Sequence, residues 1–474
     1  MNISQNWLVR ISLGLFIGWA SSFICHGPVF YYQANALDYG DTFYNAVFIL
    51  ITSTGMVISA IFLRRWQAAK KALLISVALS FLSVLAISFL PILLILPTRL
   101  ILALLSGFFV SAWSYFFYYN TPAHKRGQAI ADILVIGSIV FTFSSFLTLT
   151  ANNFLSFIYA IILLAVVFTL CSKMTLQAEQ IILVQDNFDH KKIAQCAIHS
   201  QFKYAFTLLL ICIFVISFTM GVTFQVVIPY FSTTTSLVRL YPSLPYMAAL
   251  IVFRLILKDS YKSFIVYIST SVLILSYILF AFSPASAKMM LLVITPMMIA
   301  YSIFNYFWWD ILCDLCPFSP TPSFAIGISH AVNFFGIFIG STLSLYFLTH
   351  YHLQPSDVAF ATIGLTSIII SLSPFLNQYM RNSFSNHIFF IQPPISKNTS
   401  SDETDAVPIS HLLTARESEL VALVLNGYTY RAIAEKLVIS ENTVKTHAKN
   451  IYKKLNINSK YELIQYYTKN STRK

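Results

Sequence analysis

The chain has 474 residues, 57% of them apolar, 16% aromatic and only 10% charged, with a mean hydropathy of +0.71 and a net charge of +12. Soluble globular domains carry about 25% charged residues, so this composition excludes one and implies a polytopic membrane chain with something attached. Its six cysteines, Cys25, Cys171, Cys196, Cys212, Cys313 and Cys316, are scattered and imply no disulfide framework.

Met1 to Arg10 is short and polar, and the apolar run behind it has no small-residue cleavage site, so it reads as a retained first span rather than a signal peptide. Apolar stretches of crossing length predict twelve spans, near 9–32, 42–63, 72–90, 95–118, 129–150, 153–172, 204–230, 241–257, 263–283, 289–312, 324–348 and 358–379. With the N-terminus inside, one side holds fifteen Lys and Arg, among them Arg10, Arg64, Arg65, Lys125, Arg126 and Arg254, and the other only Arg99, Arg239 and Lys288. That asymmetry, with an even number of spans, sets both termini in the cytoplasm.

The longest inner loop, Met174 to Lys203, divides the spans into two sets of six. With Pro122-Ala123-His124-Lys125-Arg126-Gly127-Gln128-Ala129 after the fourth span, this layout resembles the major facilitator superfamily. The resemblance implies a two-lobed helical bundle that binds a small molecule. The loop after the second span departs from it. Ser59-Ala60-Ile61-Phe62-Leu63-Arg64-Arg65 keeps the basic residues but lacks the glycines and the acid that helps latch the halves, and Ala249 to Lys258 keeps only Arg254.

From Asn382 to Leu412 the composition turns to Ser, Asn, Pro, Thr and acids, a flexible tether spanning roughly 30 Å as a random coil. Beyond it, Thr414-Ala415-Arg416-Glu417 is a capping box that opens a helix to about Asn426, with Gly427 as its left-handed cap. A short helix holds Ile433, Ala434 and Leu437, and Val438-Ile439 turns into a basic helix whose N-cap is Ser440. In that helix Val444, Ala448, Ile451 and Leu455 share an apolar face. Asn442, Thr446, Lys449 and Lys453 lie about 200° around the axis, flanked by Lys445. A last helix from about Ser459 carries Leu463, Ile464 and Tyr467.

Leu413-Thr414, Arg416-Glu417, Gly427, Ile433-Ala434, Leu437, Ser440, Thr443-Val444-Lys445, His447, Ile451 and Lys454-Leu455 together resemble the LuxR-type DNA-binding domain. The resemblance implies that Lys445, Thr446 and Lys449 face the major groove and that the last helix pairs two subunits on DNA. The expected DNA-binding set is therefore Asn442, Thr443, Lys445, Thr446, Lys449 and Lys453. Tyr461, Glu462, Gln465 and Tyr466, not needed for the domain's core, are free to form a homodimer surface.

Other motifs weigh less. Cys313-Asp314-Leu315-Cys316 has metal or redox spacing with no second pair, and His350 and His352 lie on an outer loop, so no metal or cofactor is expected. Asp132 in the fifth span and His330 in the eleventh are ionisable groups at membrane depth, candidates to contact a ligand or to serve as structural hydrogen-bond partners. Trp113, Tyr115, Trp308 and Trp309 either line an aromatic pocket or pack. The chain shows no catalytic constellation, phosphate loop or phosphorylatable receiver, so it is not expected to be an enzyme.

The expectation is an all-α protein: a twelve-span, two-halved sensor at 1–380, a cytoplasmic linker at 381–411, and a four-helix helix-turn-helix domain at 412–474. It is expected to bind double-stranded operator DNA, the bilayer and a small-molecule inducer. A working secondary transporter that also regulates its own operon is the alternative. A third possibility uses the helix-turn-helix to dock a protein.

Overall fold

The computed structural model of the chain describes residues 4–23, 41–87, 92–122, 125–150, 153–176, 197–232, 241–256, 262–316, 319–385, 413–425, 433–434, 437, 439–455 and 463. These residues are helical with short connections, and none of them is in a strand. The chain divides into two compact units, Met1–Tyr379 and Met380–Lys474.

In the first unit the helices are α1 (Gln5–Phe23), α2 (Asp41–Phe62), α3 (Trp66–Ile87), α4 (Ile92–Asn120), α5 (Arg126–Thr150) and α6 (Asn153–Lys173). They are followed by α7 (Ala197–Val222), α8 (Ser243–Ile256), α9 (Lys262–Ala281), α10 (Ala287–Leu315), α11 (Pro322–His350) and α12 (Pro355–Ser385). Eight of the helices among the described residues are long and apolar enough to cross a membrane, and three shorter stretches are apolar. Thr321 caps α11, its hydroxyl accepting from the Phe324 amide at 3.0 Å, and Pro322 sets the first turn. α12 runs to Ser385, so the first residues of the expected tether are helical; the rest of the tether lies outside the described residues.

Helix pairing repeats between the halves. α1 packs on α5 and α7 on α11, while α2 packs on α4 and α8 on α10. Across the halves α11 meets α2 and α5 meets α8. Small residues make the closest approaches possible: a Cβ on Gly340 of α11 would collide with the Phe218 carbonyl, and one on Gly221 of α7 with the Ile337 carbonyl. Lipid supplies no hydrophobic drive between helices, so close packing of this kind contributes much of their association.

α7 does not stop at Val222. A π-helical turn, Thr223–Val227, carries it into Ile228–Ser232. The turn is held by a buried hydroxyl cluster, in which Thr223 Oγ1 lies 2.9 Å from both Tyr277 and Tyr301, and Tyr277 donates to the Thr219 carbonyl at 2.7 Å. Hydropathy does not encode the extra residue of a π turn, so nothing in the sequence pattern announced it.

The second unit contains α13 (Ala415–Leu425) and α14 (Glu441–Leu455). Leu420, Val424, Ile433, Val444, Ile451 and Leu463 form its core, with Leu413, Leu437 and Leu455 around them. Of the expected last helix only Leu463 is described, and it is buried. Gly427 and Tyr461, Glu462, Gln465 and Tyr466 lie outside the described residues.

Candidate functional site

α14 is built as its sequence pattern requires. Ser440 caps it, its hydroxyl accepting from the Thr443 amide at 3.1 Å and lying 2.8 Å from the Thr443 hydroxyl. Val444, Ala448, Ile451 and Leu455 are buried against the core, while Asn442, Lys445, Thr446, Lys449 and Lys453 are exposed on the opposite side. Thr443 is half-buried in the cap, and Thr446 donates its hydroxyl to the Asn442 carbonyl at 2.9 Å. Five of the six expected DNA-binding side chains thus share one open face.

α13 holds α14 in place. Thr414 and Glu417 form the reciprocal capping box: the Thr414 amide donates to Glu417 Oε2 at 2.8 Å, and the Glu417 amide to Thr414 Oγ1 at 3.3 Å. Lys454 adds an ion pair to the same carboxylate at 2.6 Å, and Arg416 donates to the Leu437 carbonyl at 2.9 Å. Lys454 therefore braces the domain although it looks, in sequence, like one more basic residue of the helix.

Burial works against ionisation of Glu417, but the bonds from Lys454 and Thr414 outweigh it and hold the carboxyl below its usual range. A depressed carboxylate contributes stability that is present above the unfolded value near 4.3 and is lost as pH falls through the lower folded value. In a fragment of residues 380–474, wild-type stability is expected to drop below about pH 4. Glu417→Gln is expected to cost about 1 kcal/mol at neutral pH, Lys454 being half-exposed, and to flatten that dependence. Urea titrations at pH 3 to 7 read both effects, and parallel pH profiles for the two proteins would refute the assignment.

In the first unit the structure separates Asp132 from His330. Asp132, on α5, pairs through Oδ2 with Arg10 of α1 at 2.7 Å and through Oδ1 with Arg254 of α8 at 2.9 Å. Both carboxylate oxygens are engaged, so Asp132 sits in a structural cluster rather than facing a ligand. Because Arg254 belongs to the second half, the cluster also ties the halves together. The acid missing from the loop after the second span is thus supplied to Arg254 by the fifth helix.

The same end of the bundle is closed by buried contacts. Ser323 of α11 donates to the Ser111 carbonyl of α4 at 2.6 Å, Tyr115 donates to the Leu63 carbonyl at 3.1 Å, and Trp113 to the Val9 carbonyl at 2.9 Å. Trp113 and Tyr115 are therefore packing residues. Cys313 and Cys316, at the end of α10, are buried there as thiols, and no group of metal-ligating residues occurs among the described residues. Arg126 also sits there, its guanidinium 4.2 Å over the Tyr118 ring.

A cavity of about 300 Å³ lies between the halves, away from that closed end. α1, α2, α4 and α5 line it from one half, and α7 with its π turn, α8, α10 and α11 from the other. His330, Trp308 and Trp309 are part of the lining, whereas Asp132 is not. The His330 ring lies edge-on to both indoles, at 4.9 Å from Trp308 and 4.6 Å from Trp309. Phe224, on the π turn, also faces the cavity, a residue that the sequence pattern did not single out.

Comparison with known proteins agrees with both halves of this description. Residues 411–467 match the family described as bacterial regulatory proteins, luxR family. The first unit has the major facilitator fold, so the chain joins a LuxR-type helix-turn-helix domain, a DNA-binding module, to a transporter-like membrane bundle.

Among individual proteins, the transcriptional regulatory protein DegU of Brevibacillus brevis is 46% identical over 54 residues, 11% of this chain and 23% of that one. The oxygen regulatory protein NreC of Staphylococcus carnosus is 41% identical over 69 residues, 15% of this chain and 32% of that one. The chain thus spans only a quarter to a third of these relatives' length. Of solved structures, the human organic anion transporter MFSD10 superposes with a TM-score of 0.58 at 13% identity, covering 78% of this chain and 98% of its own. The proton:xylose symporter XylE gives 0.59 at 14%, covering 79% and 95%. At these identities the likeness is one of fold.

Proposed function

We propose that the chain is a membrane-anchored one-component transcriptional regulator. A small molecule binds the transporter-like domain, residues 1–380, and a tether at 381–411 passes the change to the DNA-binding domain at 412–474. The observation that carries this reading is a LuxR-type helix with an open basic face on the same chain as a bundle that keeps a central cavity. The excess of basic residues on one side supports both termini lying in the cytoplasm, where operator DNA is, and the match to a bacterial regulator family supports a bacterial inner membrane. Asn442, Lys445, Thr446, Lys449 and Lys453 then contact the DNA, with Thr443 in the cap, and the last helix pairs two copies. His330 is the ligand contact.

A ligand moves such an equilibrium only by its difference in affinity between two membrane-domain conformations, about 1.4 kcal/mol for each tenfold. Operator occupancy in the full chain is expected to change on adding inducer, and residues 406–474 alone are expected not to respond. A fragment that responds as the full chain does would remove the membrane domain as the sensor. The cavity and the tie between halves also suit a working transporter, and uptake of inducer into proteoliposomes separates that reading from a sensor that does not transport.

A further inference from the structure

The two ends of the central cavity differ in how they are closed. Beyond Trp308 and Trp309 the halves meet in a seal. From Val110, in the cavity wall, α4 runs on to Phe117 for about 10 Å at the rise of an α-helix. Every residue from Ser111 to Phe117 is at most 1% exposed, so that stretch borders no channel for water. On the other half, α10 continues from Trp309 through Ile311, Leu312, Cys313 and Leu315, all buried. Ser323 of α11 joins the halves in this layer, donating to the Ser111 carbonyl at 2.6 Å with its hydroxyl 3.2 Å from that of Ser114. The pair of Asp132 with Arg254, at 2.9 Å, adds a second link.

The opposite end is more open. Met56, Val110, Trp308 and His330, lining the cavity next to the seal, are buried. Ala20 and Ser21 near the end of α1, Phe224 on the π turn, and Pro242 and Ser243 where α8 begins are half-buried. The lining thus reaches the places where α1 and α7 are ending and α8 is starting.

The sealed end is also the basic one, since Arg10, Arg126 and Arg254 lie there. Basic residues mark the cytoplasmic side of a membrane chain. In this conformation a solute in the cytoplasm meets the seal, and a solute on the far side meets the half-buried lining.

We propose that the cavity takes its ligand from the extracytoplasmic side, so that the chain reports an external small molecule to DNA in the cytoplasm without that molecule having to cross. The assignment rests on the orientation and the sensing role proposed above. The ligand acts by preferring one arrangement of the two halves between which it sits.

Single cysteines test the two ends, in a parent chain with Cys25 and Cys196 replaced by serine. The four cysteines that remain are buried, and the parent sets the blank. Ala20→Cys and Met220→Cys place a thiol in the lining on each half, so that one still reads if the other disturbs packing. Ser323→Cys places one in the seal, and Arg64→Cys one at an exposed position between α2 and α3. Right-side-out and inverted membrane vesicles are treated with a membrane-impermeant trimethylammonium methanethiosulfonate, and adducts are counted by intact-protein mass.

Ala20→Cys and Met220→Cys are expected to react at least about tenfold faster in right-side-out vesicles, a minor state open to the cytoplasm being about 10% populated or less. Ser323→Cys is expected to stay unreacted from both sides, and Arg64→Cys to react in inverted vesicles alone. If Arg64→Cys behaves so, the orientation stands. The inference is then overturned by lining cysteines that react equally from both sides, faster from the cytoplasm or not at all, or by a Ser323→Cys that reacts from the cytoplasm. An Arg64→Cys that reacts in right-side-out vesicles overturns the orientation and the inference with it.

Operator duplex enclosed in the right-side-out vesicles keeps the sensing role apart. The adduct on Ala20→Cys, wedged between the halves, is expected to change operator occupancy, and the reagent is expected to leave the parent unchanged. An adduct that forms from outside without changing occupancy counts against sensing and leaves the outward opening standing.

Discussion

Asp132→Ala is expected to destabilise the membrane unit by about 3–5 kcal/mol, the cost of removing one partner from a buried ion pair. Arg10, 6% exposed in its side chain, would keep the Asn6 amide oxygen at 2.9 Å and the Trp7 ring at 5.0 Å but no negative charge. Arg254→Ala is expected to cost no more than about 1 kcal/mol, because its side chain is 43% exposed and reaches water when released. The double change Asp132→Ala with Arg10→Met should recover most of the loss, since an apolar pair in place of a buried ion pair is close to neutral. Thermal melting of the detergent-solubilised chain ranks the four proteins. An Asp132→Ala protein that melts like wild type yet no longer responds to inducer would return Asp132 to the ligand site.

Lys449→Ala is expected to weaken operator binding by about 1–3 kcal/mol and to relax base preference at one position, as befits a side chain in mid-face over the groove. Lys453, one turn further on, meets the phosphate backbone in the same reading. Its replacement by Ala should weaken binding to all sequences alike and lower the salt slope by about one unit. Titrations of the full chain against operator and random duplexes at several salt concentrations distinguish the two lysines. Equal losses on both duplexes for both variants would mean that α14 enters the groove in another rotation.

The C-terminal domain was readable because its determinants are local. The capping box joins Thr414 to Glu417, Ser440 caps its own helix, and the buried side of α14 repeats every three or four residues. Periodicity and caps report such relations directly. The spans were legible for a similar reason, since lipid demands a long apolar run in each.

What escaped is what depends on distant partners. Asp132 meets Arg10 across 122 positions, and the sequence could say only that an acid at membrane depth needs company. Lys454 and Lys453 are neighbours of the same type, yet one is held by Glu417 across 37 positions and the other faces solvent. His330 stood out as a candidate, but its unused nitrogen and its aromatic surroundings come from the crossing of α10 and α11.

The burial of Cys313 at the closed end gives the molecule an internal gauge. A buried thiol, 2% exposed, cannot reach an alkylating reagent until the bundle parts at that end. Its modification rate therefore scales with the time spent parted, as hydrogen exchange scales with local opening. With the other five cysteines replaced, a membrane-permeant maleimide would count those openings in living cells without a fusion. A compound that holds the end shut would slow the count, and one that parts it would speed it, whether or not anything is carried across.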